Sequence, residues 1–146
     1  MPRKILFFLY AICFALSIPA YARSPAPEGA KAFIVSPQDG ATVASPVLVQ
    51  FNLSGMTVAP AGEDKPNSGH YHLLIDVDTL PAMNQPIPKD EHHLHFGKGQ
   101  TEAELQLQPG KHTLQLLLGD YQHIPHDPPV ISDRITITVT APEQGK

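Results

Sequence analysis

Cysteine is nearly absent from this chain. The one residue, Cys13, sits inside an apolar stretch near the start and lacks the Leu-small-small context of a lipoprotein cysteine. Everything after it can form no disulfide and do no thiol chemistry. An excess of basic charge is absent too. The formal net charge is −4, and about −6 once residues 1–22 are left aside. Binding to phosphate backbones needs a basic surface, so nucleic acid is excluded as an expected partner. No stretch beyond residue 22 has a helical period, and 16 prolines and 10 glycines work against long helices. Neither a Gly-x-Ser-x-Gly elbow nor a phosphate-cradling glycine loop occurs, and Ser68-Gly69-His70 lacks an elbow's setting. No catalytic residue is therefore assigned.

The start of the chain has the form of an export signal. Arg3 and Lys4 precede the apolar run Ile5 to Ile18, and Ala20-Tyr21-Ala22 fits a small-x-small cleavage pattern. The cut is expected before Arg23, placing the protein in a bacterial periplasm or outside the cell with no membrane anchor left. The expected organisation is a signal peptide over 1–22, a flexible leader over 23–31, one domain over 32–140 and a tail over 141–146.

Period-2 alternation marks the domain as all-β. Val47, Val49, Phe51 and Leu53 alternate with more polar neighbours, as do Tyr71, Leu73 and Ile75, then Leu114 and Leu116, then Ile135, Ile137 and Val139. With turns at Asp39-Gly40, Gly97-Lys98-Gly99 and Pro109-Gly110, about seven strands emerge, over 32–35, 47–53, 70–77, 92–96, 101–107, 111–118 and 132–139. That pattern predicts an immunoglobulin-like antiparallel β-sandwich. Residues 78–91, with Pro81, Pro86 and Pro88, have no readable structure.

What the chain does have is histidine: eight, many of them paired. His70 and His72 flank Tyr71, His92, His93 and His95 cluster before a glycine turn, and His123 and His126 share a proline-rich loop. Parity puts His70 and His72 on the polar face of their strand, turns His93 and His95 outward, and makes His112 a buried, structural histidine. Two imidazoles at i, i+2 on a strand face the same way and suit zinc or copper. In alternating strands, the loop carrying His123 and His126 reaches the pole where His70 stands. His70, His72, His123 and His126 are the first choice of metal ligands. His95 is the fifth, because strands 70–77 and 92–96 would lie in different sheets. Asp120 and Asp127 are candidates to ligate or to support the ligands. Met56 and Met83 are expected to be loop filler.

Several strings go beyond pattern. Gly69-His70-Tyr71-His72-Leu73-Leu74-Ile75-Asp76, His95-Phe96-Gly97-Lys98-Gly99-Gln100-Thr101-Glu102 and the block from Gly119-Asp120 through His123-Ile124-Pro125-His126-Asp127-Pro128-Pro129 resemble those of a bacterial exported family, the domain of unknown function 4399. The resemblance runs from about residue 33 to 139. Tyr71 departs from it, standing where the family often has another histidine. It implies an exported bacterial protein and no mechanism.

The expected function is a small periplasmic binding protein holding copper or zinc through histidines. The alternative is a non-catalytic structural or interaction module of the cell envelope. A metal-dependent enzyme, with Asp76 or Asp120 as acid or base, stands third.

Overall fold

The structure is a computed structural model and describes residues 21–141. Nearly all of the expected signal peptide and the end of the expected tail fall outside these residues. Among the described residues no helix is long and apolar enough to cross a membrane.

Among the described residues nine strands form two packed sheets, the all-β sandwich that the alternation predicts. They are β1 (Lys31–Ser36), β2 (Thr42–Ala44), β3 (Val47–Ser54), β4 (Thr57–Val58), β5 (Ser68–Ile75), β6 (His93–His95), β7 (Glu102–Leu105), β8 (Gly110–Gly119) and β9 (Ile135–Thr140). The smaller sheet has the order β1-β3-β7. The larger has the order β2-β9-β8-β5-β4, with β6 also on β5. The two short strands that the sequence pattern did not show, β2 and β4, pair in parallel with β9 and β5.

Between the sheets lies the main core. Val47, Val49, Phe51 and Leu105 from the smaller sheet meet Tyr71, Leu73, Leu114, Leu116, Leu118, Ile137 and Val139 from the larger. Removing each such side chain from water contributes about 1.5–3 kcal/mol. Met56 belongs to this core and is not loop filler.

One difference from expectation decides the rest. All eight residues of β5 are buried, both parities alike. Over β5 and the adjoining part of β8 the outer face of the larger sheet is not open to solvent, because residues 78–91 fold back across it. Ile87 packs with Leu74 and Leu117 in a second, smaller core, with Met83, Val77 and Ile131 against it. His70 and His72, expected on an exposed face, are 0% and 1% exposed.

Candidate metal centre

The strand register assembles the site. In β5 the outward parity carries Ser68, His70, His72 and Leu74. Strand β6 pairs directly with β5, and its His95 stands opposite His72. The expectation that these segments lie in different sheets is corrected here, which moves His95 from the margin of the candidate set to its middle. On the other side β8 places Leu117 opposite His72 and Gly119 opposite His70. After Gly119 the chain turns, and His123 comes back over the same face. Its backbone is left-handed (φ 68°). The amide of His123 donates to Asp120 O at 2.8 Å, and its carbonyl accepts from Ile87 N at 2.8 Å.

Four imidazoles meet there. The six centroid distances among His70, His72, His95 and His123 run from 4.8 to 5.9 Å. Rings at the corners of a tetrahedron with edges of about 5 Å lie about 3 Å from its centre, and a nitrogen turned inward comes about 1 Å closer, leaving about 2 Å, the length of a zinc–imidazole bond. The Nε2 atoms of His70 and His72 are 3.2 Å apart. Two donors on one tetrahedral ion stand roughly 3.3 Å apart. The ligand nitrogens of His70, His72 and His95 all lie within 4.8 Å of one another. Closing that trio on an ion needs inward ring movements of roughly 1 Å. His123 adds the fourth ring.

Electrostatics favours the neutral form of His70, His72 and His95. Burial, then the neighbouring His123 and His95, pushes the His70 pKa down to about 4. Burial, then His70 and His95, pushes His72 down to about 2. Burial also lowers His95, helped by His123 and Lys89. Neutral imidazole is the form that offers a lone pair to a metal. His70 Nδ1, His72 Nδ1 and His95 Nε2 are buried with no hydrogen-bond partner. An unpaired buried polar group costs about 1–3 kcal/mol. Of these three atoms, His95 Nε2 is the one that could join the two facing Nε2 atoms on an ion, whereas the Nδ1 atoms of His70 and His72 are the other nitrogens of rings that already meet through Nε2.

Glycines make the close approach possible, a role that the histidine pattern did not reveal. A Cβ on Gly119 would lie 3.0 Å from His72 Nε2, and one on Gly97 would lie 2.6 Å from His95 Nε2. A Cβ on Gly69 would lie 2.9 Å from His126 Cε1. The signal was in the sequence, since each glycine lies within four residues of one of these histidines along the chain.

The other four histidines are engaged elsewhere. His126 is buried, but its Nε2 is spent on Ser68 O at 3.1 Å, so it braces the loop beside the cluster instead of joining the four rings. Burial outweighs that hydrogen bond and lowers its pKa. His92 Nδ1 lies 2.9 Å from Ile75 O, and His93 Nδ1 lies 2.8 Å from Asp90 Oδ1. His93 shares the outward parity of His95 but is tied to its own turn. His112 is half-buried, not a core residue, and its Nδ1 and Nε2 lie 2.7 Å from Asp76 Oδ2 and 2.8 Å from Gln108 O. That engagement takes Asp76 away from the cluster. Asp127 is exposed and paired with Arg23. Asp120 is 2% exposed and accepts three hydrogen bonds, from Gln122 N, Ile124 N and Ser24 Oγ.

Fold and site together define a small β-sandwich with a buried knot of histidines on the outer face of one sheet. The model of the family called domain of unknown function (DUF4399) matches residues 49–140, and the chain belongs to that family. The matched region contains all four clustered histidines and the three glycines. No curated protein and no solved structure matches the chain.

Proposed function

We propose that this is an exported protein that binds one transition-metal ion, zinc or copper, through His70, His72, His95 and His123. The observation that carries the reading is the mutual spacing of the four rings, 4.8–5.9 Å for every pair. The donor set is all nitrogen, which suits Zn(II) and Cu(II) over Mg(II) or Ca(II). With four rings closing around the centre, the arrangement favours holding an ion over activating a water on it, so binding ranks above catalysis. Export is supported by the charged, apolar and small-residue pattern of residues 1–22.

Calorimetry tests the binding reading. The mature protein is expected to take up one zinc ion with a Kd of about 1 μM or tighter, and His72→Ala to lose that binding. No heat with either zinc or copper would contradict it. A second reading has one observation behind it: the 3.2 Å contact between His70 and His72 is also good for a hydrogen bond. On that reading the rings form a purely structural knot, and the protein has equal stability with and without metal.

A further inference from the structure

Residues 23–31 read as a flexible leader in the sequence, yet their first part is docked. Ser24 O accepts from Asp127 N at 2.9 Å, and Ala26 N donates to Asp127 O at 3.0 Å. Arg23 Nε donates to Pro125 O at 3.1 Å, its Nη2 donates to His126 O, and its Nη1 lies 3.1 Å from Asp127 Oδ1. Ser24 Oγ donates to Asp120 Oδ2 at 2.7 Å.

Every one of these contacts is with a single loop. Ala26 packs against the main core, but Arg23, Ser24 and Pro25 put no large apolar side chain into either core, so their position rests on the polar contacts. The loop they grip is the one that carries His123. Asp120 organises it: Oδ1 collects the amides of Gln122 and Ile124, and the Asp120 carbonyl holds the amide of His123. The remaining carboxylate oxygen, Oδ2, goes to Ser24. His123, in a left-handed backbone, is held by Asp120 from one side and Ile87 from the other. A non-glycine residue in that conformation persists only where its surroundings enforce it.

We infer that Ser24 and Arg23 are positioning residues of the histidine cluster, clamping the loop 120–127 from outside and so setting how firmly His123 is held toward the other three rings. The inference rests on the metal reading above. The fourth ring then governs release of the ion: a slack loop lets His123 swing away, leaving the trio on β5 and β6 to hold the ion alone.

The test is a double-mutant cycle on the complete mature protein, with Zn2+ as the probe and release followed by transfer to a chromogenic chelator. Ser24→Ala is expected to release zinc about fivefold to tenfold faster than wild type, the size of effect of one ordinary hydrogen bond. Ser24→Thr, which keeps the hydroxyl, is expected to restore the wild-type rate. In a His123→Ala background Ser24→Ala is expected to change nothing further, since the ring that it positions is gone. An unchanged rate in Ser24→Ala, or an equal acceleration with and without His123, overturns the inference while leaving the metal reading intact. Should Ser24→Ala fail to fold, Arg23→Gln enters the same cycle with the same expected coupling. Absence of zinc binding by the wild type overturns both.

Discussion

Among the eight histidines, neighbouring atoms decide which are free to act. His112 has an acceptor on each ring nitrogen, Asp76 Oδ2 and Gln108 O, an arrangement that favours the imidazolium form, which can donate from both. Burial alone would lower its pKa, but the bonds to Asp76 and Gln108 outweigh it and the pKa is raised. Burial likewise would raise Asp76, but the bonds from His112 and from Thr113 N leave it lowered. The raised histidine stabilises the fold fully below its unfolded value of 6.5, and that contribution fades as pH climbs through the folded value. The lowered aspartate stabilises fully above its unfolded value of 3.8, and that contribution fades as pH falls. The pair is therefore strongest between about pH 4 and 6.5. A urea-denaturation cycle of His112→Ala and Asp76→Asn is expected to give a coupling of about 0.5–1 kcal/mol at pH 5.5, shrinking by pH 9. Equal coupling at both pH values would contradict the assignment. His123 is the reverse case, with a ring that the metal reading assigns to the site and a backbone in the left-handed region. His123→Gly is expected to cost the apoprotein little or no stability in thermal denaturation, because glycine accepts a positive φ, while weakening zinc binding at least tenfold. A melting temperature lowered like that of a core variant would show that the ring is a packing residue instead. Parity along the strands marked His70 and His72 as one same-facing pair from sequence alone. It did not distinguish His126 from His95, because the hydrogen bond to Ser68 O and the pairing of β6 with β5 are long-range facts.

At the scale of elements, the segment 78–91 matters most and was least legible. Alternation identified β3, β5, β8 and β9 because each has one face on a continuous apolar core. The link has no period, yet through Ile87 it closes the second core and holds His123 O. By covering the outer face of β5 it helps bury His70 and His72, and burial lowers the pKa of both. Parity alone assigns which residues share a face, not whether anything covers it. Ile87→Ala is expected to destabilise the protein by about 2–4 kcal/mol in denaturant titration. It is also expected to loosen zinc binding, since the segment whose Ile87 amide anchors the His123 carbonyl loses the packing that seats it. A loss of stability with zinc affinity unchanged would confine the link to a packing role. Gly119, at the end of β8, tests the space that the site needs. Gly119→Ala puts a carbon 3.0 Å from His72 Nε2 and 3.2 Å from His123 Cα. Zinc affinity is expected to fall at least tenfold, more than from Gly40→Ala, where a Cβ meets nothing within 4 Å. Equal affinities in the two variants would contradict the role given to Gly119.

For the molecule as a whole, the sandwich works as a rigid frame that prepares a costly cluster in advance. Buried ring nitrogens without partners, His95 Nε2 among them, destabilise the fold, and on the proposed metal reading an ion that binds only the folded state offsets this by mass action. At a free zinc concentration of 100 times Kd the gain is about 3 kcal/mol. The mature protein is expected to melt several degrees higher with saturating zinc, and His72→Ala to show no such shift. The all-β class and the family were legible from strand alternation and from the ordered histidine and glycine strings. The assembly of the site was not, because it depends on which strands are neighbours. The central claim is that four imidazoles converge on one point, and a crystal of zinc-loaded mature protein measured at the zinc absorption edge tests it most directly. One anomalous peak is expected per chain, about 2 Å from a nitrogen of each of His70, His72, His95 and His123. A peak beside His92 or His112 instead, or no peak with the four rings still packed against each other, would contradict the account.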